Sequence, residues 1–293
     1  MPAATVKGHR GVSYHDAMRA INRPVSWWGW HWEPPVPMSI AQLVQAGSLS
    51  ERLAAMLWVA MERGASIVVA ADPPSAGKTT TLTALLSLTP PDTIAYFTRG
   101  VGETFALPPI SPAYPTYILI NELSDHIPVY TWDDAARRAF QLLAEGYRLA
   151  TTMHADTVEG VLGQLQGELD IPAQQIAQLT LILPLYIGRR GGLVRRVREV
   201  AFLQPNGDGL TVDRLARWDA AEDAFQVLAE DRQRQALARW AGLTPRRLED
   251  EMAHREAFLR ALIEAGTVSV PEVNAAVEGW YSGVNRSGHR REG

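Results

Sequence analysis

The chain has no cysteine, and that absence removes disulfides, thiol catalysis and cysteine-ligated zinc from consideration. It has no excess of positive charge either. A formal net charge of -4 has the wrong sign for a surface that coats nucleic acid, so no nucleic-acid partner is expected. Long apolar runs are missing: Glu62-Arg63-Gly64 interrupts the best candidate before it could span a bilayer. The first residues lack the charged-then-apolar pattern of a secretory signal. The expected compartment is therefore cytoplasmic, with any membrane contact peripheral. What remains is ample: 293 residues with 46% hydrophobic content suffice for a full core in one large or two modest domains.

The most informative stretch is Asp72-Pro73-Pro74-Ser75-Ala76-Gly77-Lys78-Thr79-Thr80, which follows the apolar run Ser66 to Ala71 and precedes a helix-compatible segment from Leu82 to Leu88. Strand, loop and helix in that order are the context of a phosphate-binding loop, in which N–H groups at a helix N-terminus wrap the phosphates. Lys78 is the candidate for the β/γ oxygens and Thr79 for Mg²⁺, with Gly77 allowing close backbone approach. The pattern departs from its standard form at Asp72, where Gly is the usual residue, and Pro73 and Pro74 bring no N–H groups. The donors fall in the second half, at Ser75, Ala76, Gly77, Lys78, Thr79 and Thr80. A proline-rich turn before a Lys-Thr-Thr helix start is the plain alternative.

The rest of the chain reads as alternating strands and helices. Ser39 to Gln42 resembles a capping box, and a second helix begins after Ser50 with Leu53, Leu57 and Met61 on one face. Short strands are expected at 93–97, 117–120 and 147–153, with a helix from Asp133 to Gly146. This alternation predicts an α/β fold with a mostly parallel sheet. Leu179 to Leu203 reads as a hairpin turning at Arg189-Arg190-Gly191-Gly192, and the chain beyond Asp219 as charged and helical. The expected organisation is a Trp/Pro-rich segment at 1–37, a core at 38–204, a mainly helical region at 205–281 and a disordered tail at 282–293.

Two further residues belong to the expected ligand edge. Glu122 follows the apolar strand Ile118-Leu119-Ile120, and strand carboxyl ends form that edge in an open parallel sheet. It is the candidate to order Mg²⁺ or polarise the attacking water, alongside Thr79 as a metal residue. His154, in Thr151-Thr152-Met153-His154-Ala155-Asp156, ends the next strand where it can sense a γ-phosphate. A solvated loop acid and a structural histidine are the respective alternatives.

These ordered blocks resemble the ATPases of type II and type IV secretion, type IV pili and the archaellum. Ser39 to Ser50 is similar to the segment before the phosphate loop in the tight-adherence and archaeal branches, and Gly77 to Leu82 to their Walker A end. Ile118 to Asp125 resembles their Walker B block, Ala150 to Asp156 their His box, and Arg195 to Val200 the hairpin strand that follows. The match covers roughly 38–204, and the ordered His box makes it specific. The resemblance implies a RecA-like P-loop NTPase core with a β-hairpin and a helical C-terminal extension. It also implies Mg-ATP as substrate, a ring of subunits that is a hexamer, and a membrane platform that the ring moves. Lys78 and Thr79 then take the phosphate and Mg²⁺ roles, Glu122 the Walker B role and His154 the His-box role.

The departures fall on the chemistry. The family's acidic block after its second core strand, whose first Glu is a favoured general base, is here Phe97-Thr98-Arg99-Gly100-Val101-Gly102-Glu103. Only Glu103 stands in, at a different spacing. Asn121 replaces the usual Gly before the Walker B acid, and Ser124 the usual Arg beyond it. The family's long N-terminal domain is reduced to at most about forty residues, below the size of an ordinary domain. Arg99, the only Lys or Arg between Lys78 and Arg137, is a third catalytic candidate, as an arginine for the transition-state phosphate; the alternative is a solvated loop residue. The cluster Trp27, Trp28, Trp30 and Trp32 is either a membrane-interface belt or docking surface, or the alternating Trp28, Trp30 and Trp32 form one face of a strand packed on the core, the latter favoured. Two functions from different classes result: an active motor-type ATPase, or a non-catalytic nucleotide-binding subunit with a regulatory or structural task. A P-loop kinase is a third, without a recognisable lid or acceptor site.

Overall fold

The computed structural model describes residues 19–21 and 37–288, and the tryptophan cluster at 27–32 lies outside the described residues. Among the described residues, two short N-terminal helices are set by local chemistry. In α1 (Ile40–Gln45), Ser39 Oγ accepts from the Gln42 N–H at 3.1 Å while the Ser39 N–H donates to Gln42 Oε1 at 2.9 Å, the expected reciprocal cap. In α2 (Glu51–Glu62), Ser50 Oγ accepts from the Leu53 N–H.

The sheet is built around β2 (Ile67–Ala70), which leads through the phosphate-loop sequence into α3 (Lys78–Leu86). Next come β3 (Ile94–Phe97), β4 (Thr116–Leu123), α4 (Asp133–Ala144), β5 (Arg148–Met153) and the short helices α5 (Val158–Gly163) and α6 (Ala173–Ile176). After them come β6 (Leu181–Arg189), β7 (Leu193–Val197), β8 (Glu199–Asn206), β9 (Gly209–Asp219) and β10 (Ala224–Val227). With β1 (Arg19–Ile21) at one edge, the spatial order is β1-β3-β4-β5-β2-β6-β8-β9-β10, and β7 pairs with β6. From β1 to β6 every pairing is parallel; from β6 to β10 every pairing is antiparallel. The strand bearing the loop thus sits mid-sheet, one strand removed from the strand bearing Glu122. This is an α/β fold with a largely parallel central sheet, as the strand–helix alternation predicts, and it is consistent with the RecA-like P-loop core that the resemblance implies.

Alternation along the central strands divides the core into two layers. Ile67 and Val69 of β2 join Tyr117 and Leu119 on the face covered by α1, α2 and α3. Val68 and Ala70 join Ile118 and Ile120 on the face covered by α4 and α5. With both faces covered, these strands read as continuous apolar runs.

The expected hairpin turns where the sequence places it, with Gly191 at φ 70° and the Arg190 N–H donating to the Gly192 carbonyl. Its return arm is divided. β7 pairs with the outer half of β6, and β8 with the inner half, the break falling at Arg198. The region 205–281 also opens differently from its expected helical character. β9 and β10 extend the sheet before helices α7 (Asp231–Trp240), α8 (Pro245–Glu264) and α9 (Val270–Gly288) begin. The last helix runs through Ser282 to Gly288, so the segment expected to be disordered starts helical; its capacity to continue comes from Val277 and Tyr281, buried on α2 and α3's layer. Among the described residues no helix is long and apolar enough to cross a membrane.

Arg196 anchors the hairpin, its guanidinium donating twice to the Asp223 carboxylate, at 2.8 and 2.9 Å, and once to the Ala46 carbonyl. Hydrogen bonds from Arg196 and Trp218 hold the Asp223 carboxyl well below the usual carboxylate range. A depressed carboxyl contributes stability above its unfolded pKa and loses it as pH falls through and below that value. Asp223→Asn is therefore expected to lower stability at neutral pH and to flatten the loss below about pH 4, as read by urea unfolding across pH. Identical stability–pH curves for variant and parent would show the pair contributes nothing.

Candidate nucleotide-binding site

The loop at 72–77 leaves the carboxyl end of β2 and turns through two left-handed residues, Ser75 at φ 59° and Gly77 at φ 97°. Gly77 is the N-cap of α3 and offers no side-chain cap, so the first-turn N–H groups of the helix stay open to an external acceptor. Glycine suits that left-handed position; serine at 75 adopts a conformation that costs a non-glycine residue about 1–2 kcal/mol.

Lys78, one of two lysines in the chain with Lys7, turns back under the loop. Its Nζ donates to the Ala71 carbonyl at 3.0 Å, and lies 3.4 Å from His154 Nδ1 and 4.0 Å from Glu122 Oε2. Burial pulls its pKa below the ordinary lysine value, opposed by the carboxylates of Glu122, Asp72 and Asp156.

Glu122 reaches this spot because β4 carries a bulge. Ile120 pairs with Thr151 and Leu123 with Met153, so Asn121 and Glu122 together face Thr152. Thr152 Oγ1 donates to the Asn121 carbonyl at 2.8 Å and fastens the bulge. The Glu122 side chain is 9% exposed. His154 Nε2 stands 2.9 Å from Glu122 Oε1, but off the line a hydrogen bond requires, and this buried oxygen has no hydrogen-bond partner among the described residues. His154 Nδ1 is also 3.2 Å from the Asp72 carbonyl. That nitrogen either donates to the carbonyl or accepts from the Lys78 ammonium, according to the tautomer. The Gln164 amide, at the head of a π-helical turn over Gln164–Glu168, donates to the His154 carbonyl at 2.6 Å.

These groups share a cavity of about 590 Å³. Ser75 to Thr81, Glu122, Tyr130 and His154 form its polar lining. Met38 and Leu43 from the α1 side, with Leu185, Leu193 and Val194 from the hairpin, supply an apolar wall. The sequence reading names Ser75 to Thr80, Glu122 and His154 of this lining and places Arg195 only in the hairpin strand; it does not reach Thr81, Tyr130 or the apolar wall, which assembles from segments about 150 residues apart with no motif of their own. Burial, then the Glu122 charge, raises the Tyr130 pKa.

Thr79 and Glu122 offer hard oxygen donors that fit Mg²⁺: the Thr79 hydroxyl makes no hydrogen bond among the described residues, and Glu122 Oε1 is the orphaned buried oxygen. Glu122, His126 and His154 form a second group whose ligand atoms lie within 4.8 Å of one another.

Arg99 and Glu103 lie elsewhere. They follow β3, which β4 and β5 separate from the loop strand, and neither lines the cavity. Glu103 staples its own loop, accepting from Tyr96 Oη at 2.7 Å and from the N–H groups of Arg99 and Phe105. The Arg99 side chain is exposed. Gly100 fits here because its backbone touches the Pro128 and Val129 main chain, where any Cβ would collide.

No family model matches the chain. It is 27% identical over 251 residues to the uncharacterized protein MJ1287 of Methanocaldococcus jannaschii, covering 75% of this chain and 90% of that protein. It is 24% identical over 280 residues to MJ0900 of the same organism, covering 84% of this chain and 49% of the relative, so it spans about half of that protein's length. Among solved structures, the VirB11 ATPase from the Brucella suis type IV secretion system aligns at 24% identity and a TM-score of 0.39, over 55% of this chain and 54% of its own. The Legionella pneumophila ATPase DotB aligns at 12% identity and a TM-score of 0.34, over 78% of this chain and 58% of its own. At those scores the assignment of this fold rests on the chain's own topology.

Proposed function

We propose that the protein binds Mg-ATP in the cavity at the carboxyl edge of the sheet and hydrolyses it. The observation that carries this reading is the convergence of Lys78, Thr79, Glu122 and His154 on an uncapped helix N-terminus. In this reading the N–H groups from Ser75 to Thr80 wrap the phosphates and Lys78 neutralises the β/γ oxygens. Magnesium, held by Thr79 and Glu122, would add charge neutralisation on the same phosphates. Glu122 Oε1, free of donors and next to an imidazole, orients the attacking water and takes up its proton. His154 links Glu122 to Lys78 and the Asp72 carbonyl, so it is the residue that passes phosphate occupancy to the loop.

The blocks at 38–204 support a motor-type ATPase of a type II or type IV secretion or pilus-like machine, working as a hexameric ring on a membrane platform. The core at 38–204 is then the catalytic unit, flanked by the segments at 1–37, 205–281 and 282–293. Arg99, exposed and outside its own cavity, acts in such a ring across a subunit boundary. A second reading is favoured by one observation: Glu103, the one stand-in for the missing acidic block, is consumed by its own loop. A non-catalytic nucleotide-binding subunit would keep the same fold and cavity.

Mg²⁺-dependent ATP hydrolysis across a protein concentration series, with Lys78→Ala as control, separates the two. Specific activity that rises with concentration and vanishes in the control is the expected result. Folded protein that binds ATP without turning it over at any concentration selects the second reading.

A further inference from the structure

The hairpin places three arginines at positions 195, 196 and 198 against the nucleotide edge, and they are used differently. Arg196 is consumed by Asp223 and the carbonyls of Ala46 and Arg195. Arg198 donates to the Asp156 carbonyl at 3.2 Å, beyond the His154 strand end. Arg195 crosses over the phosphate loop itself: its Nε donates to the Ser75 carbonyl at 2.8 Å, and its Cδ lies 3.5 Å from where a Cβ on Gly77 would sit. It lines the same cavity as Lys78, Thr79 and Glu122, and its two terminal nitrogens have no partner among the described residues.

The charge around the loop gives those free nitrogens a task. The carboxylates of Glu122, Asp72 and Asp156 all act on Lys78, so one ammonium faces three acids at a place meant for a polyphosphate. A loop with Asp72 and two prolines in its first half has also given up N–H donors there. Arg196 lines the cavity too, but its charge is taken by Asp223. Among the described residues of the cavity Arg195 is the remaining arginine, and it carries a planar fork suited to phosphate oxygens.

We propose that Arg195 is a phosphate ligand supplied within the same chain by the β6–β7 hairpin, offsetting the charge and the donors that the altered loop has lost. The inference rests on the nucleotide reading above and gives a phosphate-binding role to Arg195, which the resemblance places only in the hairpin strand. Because Nε already holds the Ser75 carbonyl, a phosphate bound by the terminal nitrogens fastens hairpin and loop together. The hairpin then reports occupancy to α1 and to the β9–β10 turn through Arg196.

The test is calorimetric titration of ATP and ADP into the parent protein, Arg195→Ala and Arg195→Lys, with thermal unfolding of each without nucleotide. Arg195→Ala is expected to bind roughly 10- to 100-fold more weakly, the range of a hydrogen bond to a charged group. Arg195→Lys should recover part of that loss, with unliganded melting unchanged in both. Parent-like affinity in Arg195→Ala would overturn the proposal and leave Arg195 a brace on Ser75. Equal loss in both variants with lowered unliganded melting would overturn it too, since collapse of the loop then explains the effect. A parent protein that binds neither nucleotide removes the nucleotide reading, and this proposal falls with it.

Discussion

Glu122→Gln is expected to bind Mg-ATP at least as well as the parent and to lose turnover by about 10² to 10⁴-fold, the range for removal of a positioned acid–base group. The argument is steric as well as electrostatic. Glutamine matches the shape that the bulge between Ile120 and Leu123 delivers beside Thr152, so the local fold is kept. It removes one negative charge 4.0 Å from Lys78, which favours an incoming polyphosphate. What it cannot do is accept a proton from water at Oε1, the oxygen that stands free of donors. Single-turnover hydrolysis with a parallel binding titration reads both halves. Parent-like turnover would remove Glu122 from the chemistry and leave it a partner for Lys78.

The second large effect concerns stability. Arg255→Ala is expected to cost about 3–5 kcal/mol, the range for breaking a buried ion pair by removing one partner. Arg255 on α8 is 2% exposed, pairs with Glu62 of α2 and with Glu251, and lies 5.6 and 5.3 Å from the ring centroids of Trp58 and Trp280. Trp58 donates in turn to Tyr281 Oη at 3.0 Å, and Tyr281 donates to the Leu88 carbonyl at 2.7 Å just past α3. One guanidinium thus ties the C-terminal helices to the layer under the loop at 72–77. Urea unfolding of variant and parent measures it, and a loss below about 1 kcal/mol would place this cluster among ordinary surface pairs.

The sequence reading succeeded where a local physical cause sits in adjacent residues. The Ser39 cap, the helix beginning after Ser50, the apolar strand before the loop and the α4 stop at Gly146, in the left-handed region, are all such cases. The apolar strand before Glu122 is legible in the sequence, but the bulge that aims this side chain is not, because it depends on how Thr152 of the neighbouring strand pairs. β9 was missed although a signal existed. Asn206-Gly207-Asp208-Gly209 is a two-residue hairpin connection with Gly207 at φ 59°, and it precedes a strand whose Leu215 and Trp218 turn inward. The cavity's apolar wall and Arg195's contact with Ser75 depend on tertiary contacts across more than a hundred residues, which no local pattern encodes.

The most direct test of the central claim is calorimetric titration of Mg-ATP into the parent protein and into Lys78→Ala, both shown to be folded. Saturable one-to-one binding by the parent, lost in Lys78→Ala, is the result this account predicts. Equal binding by the two proteins, or none by the parent, would contradict it and leave residues 72–80 a proline-rich turn at the start of a helix.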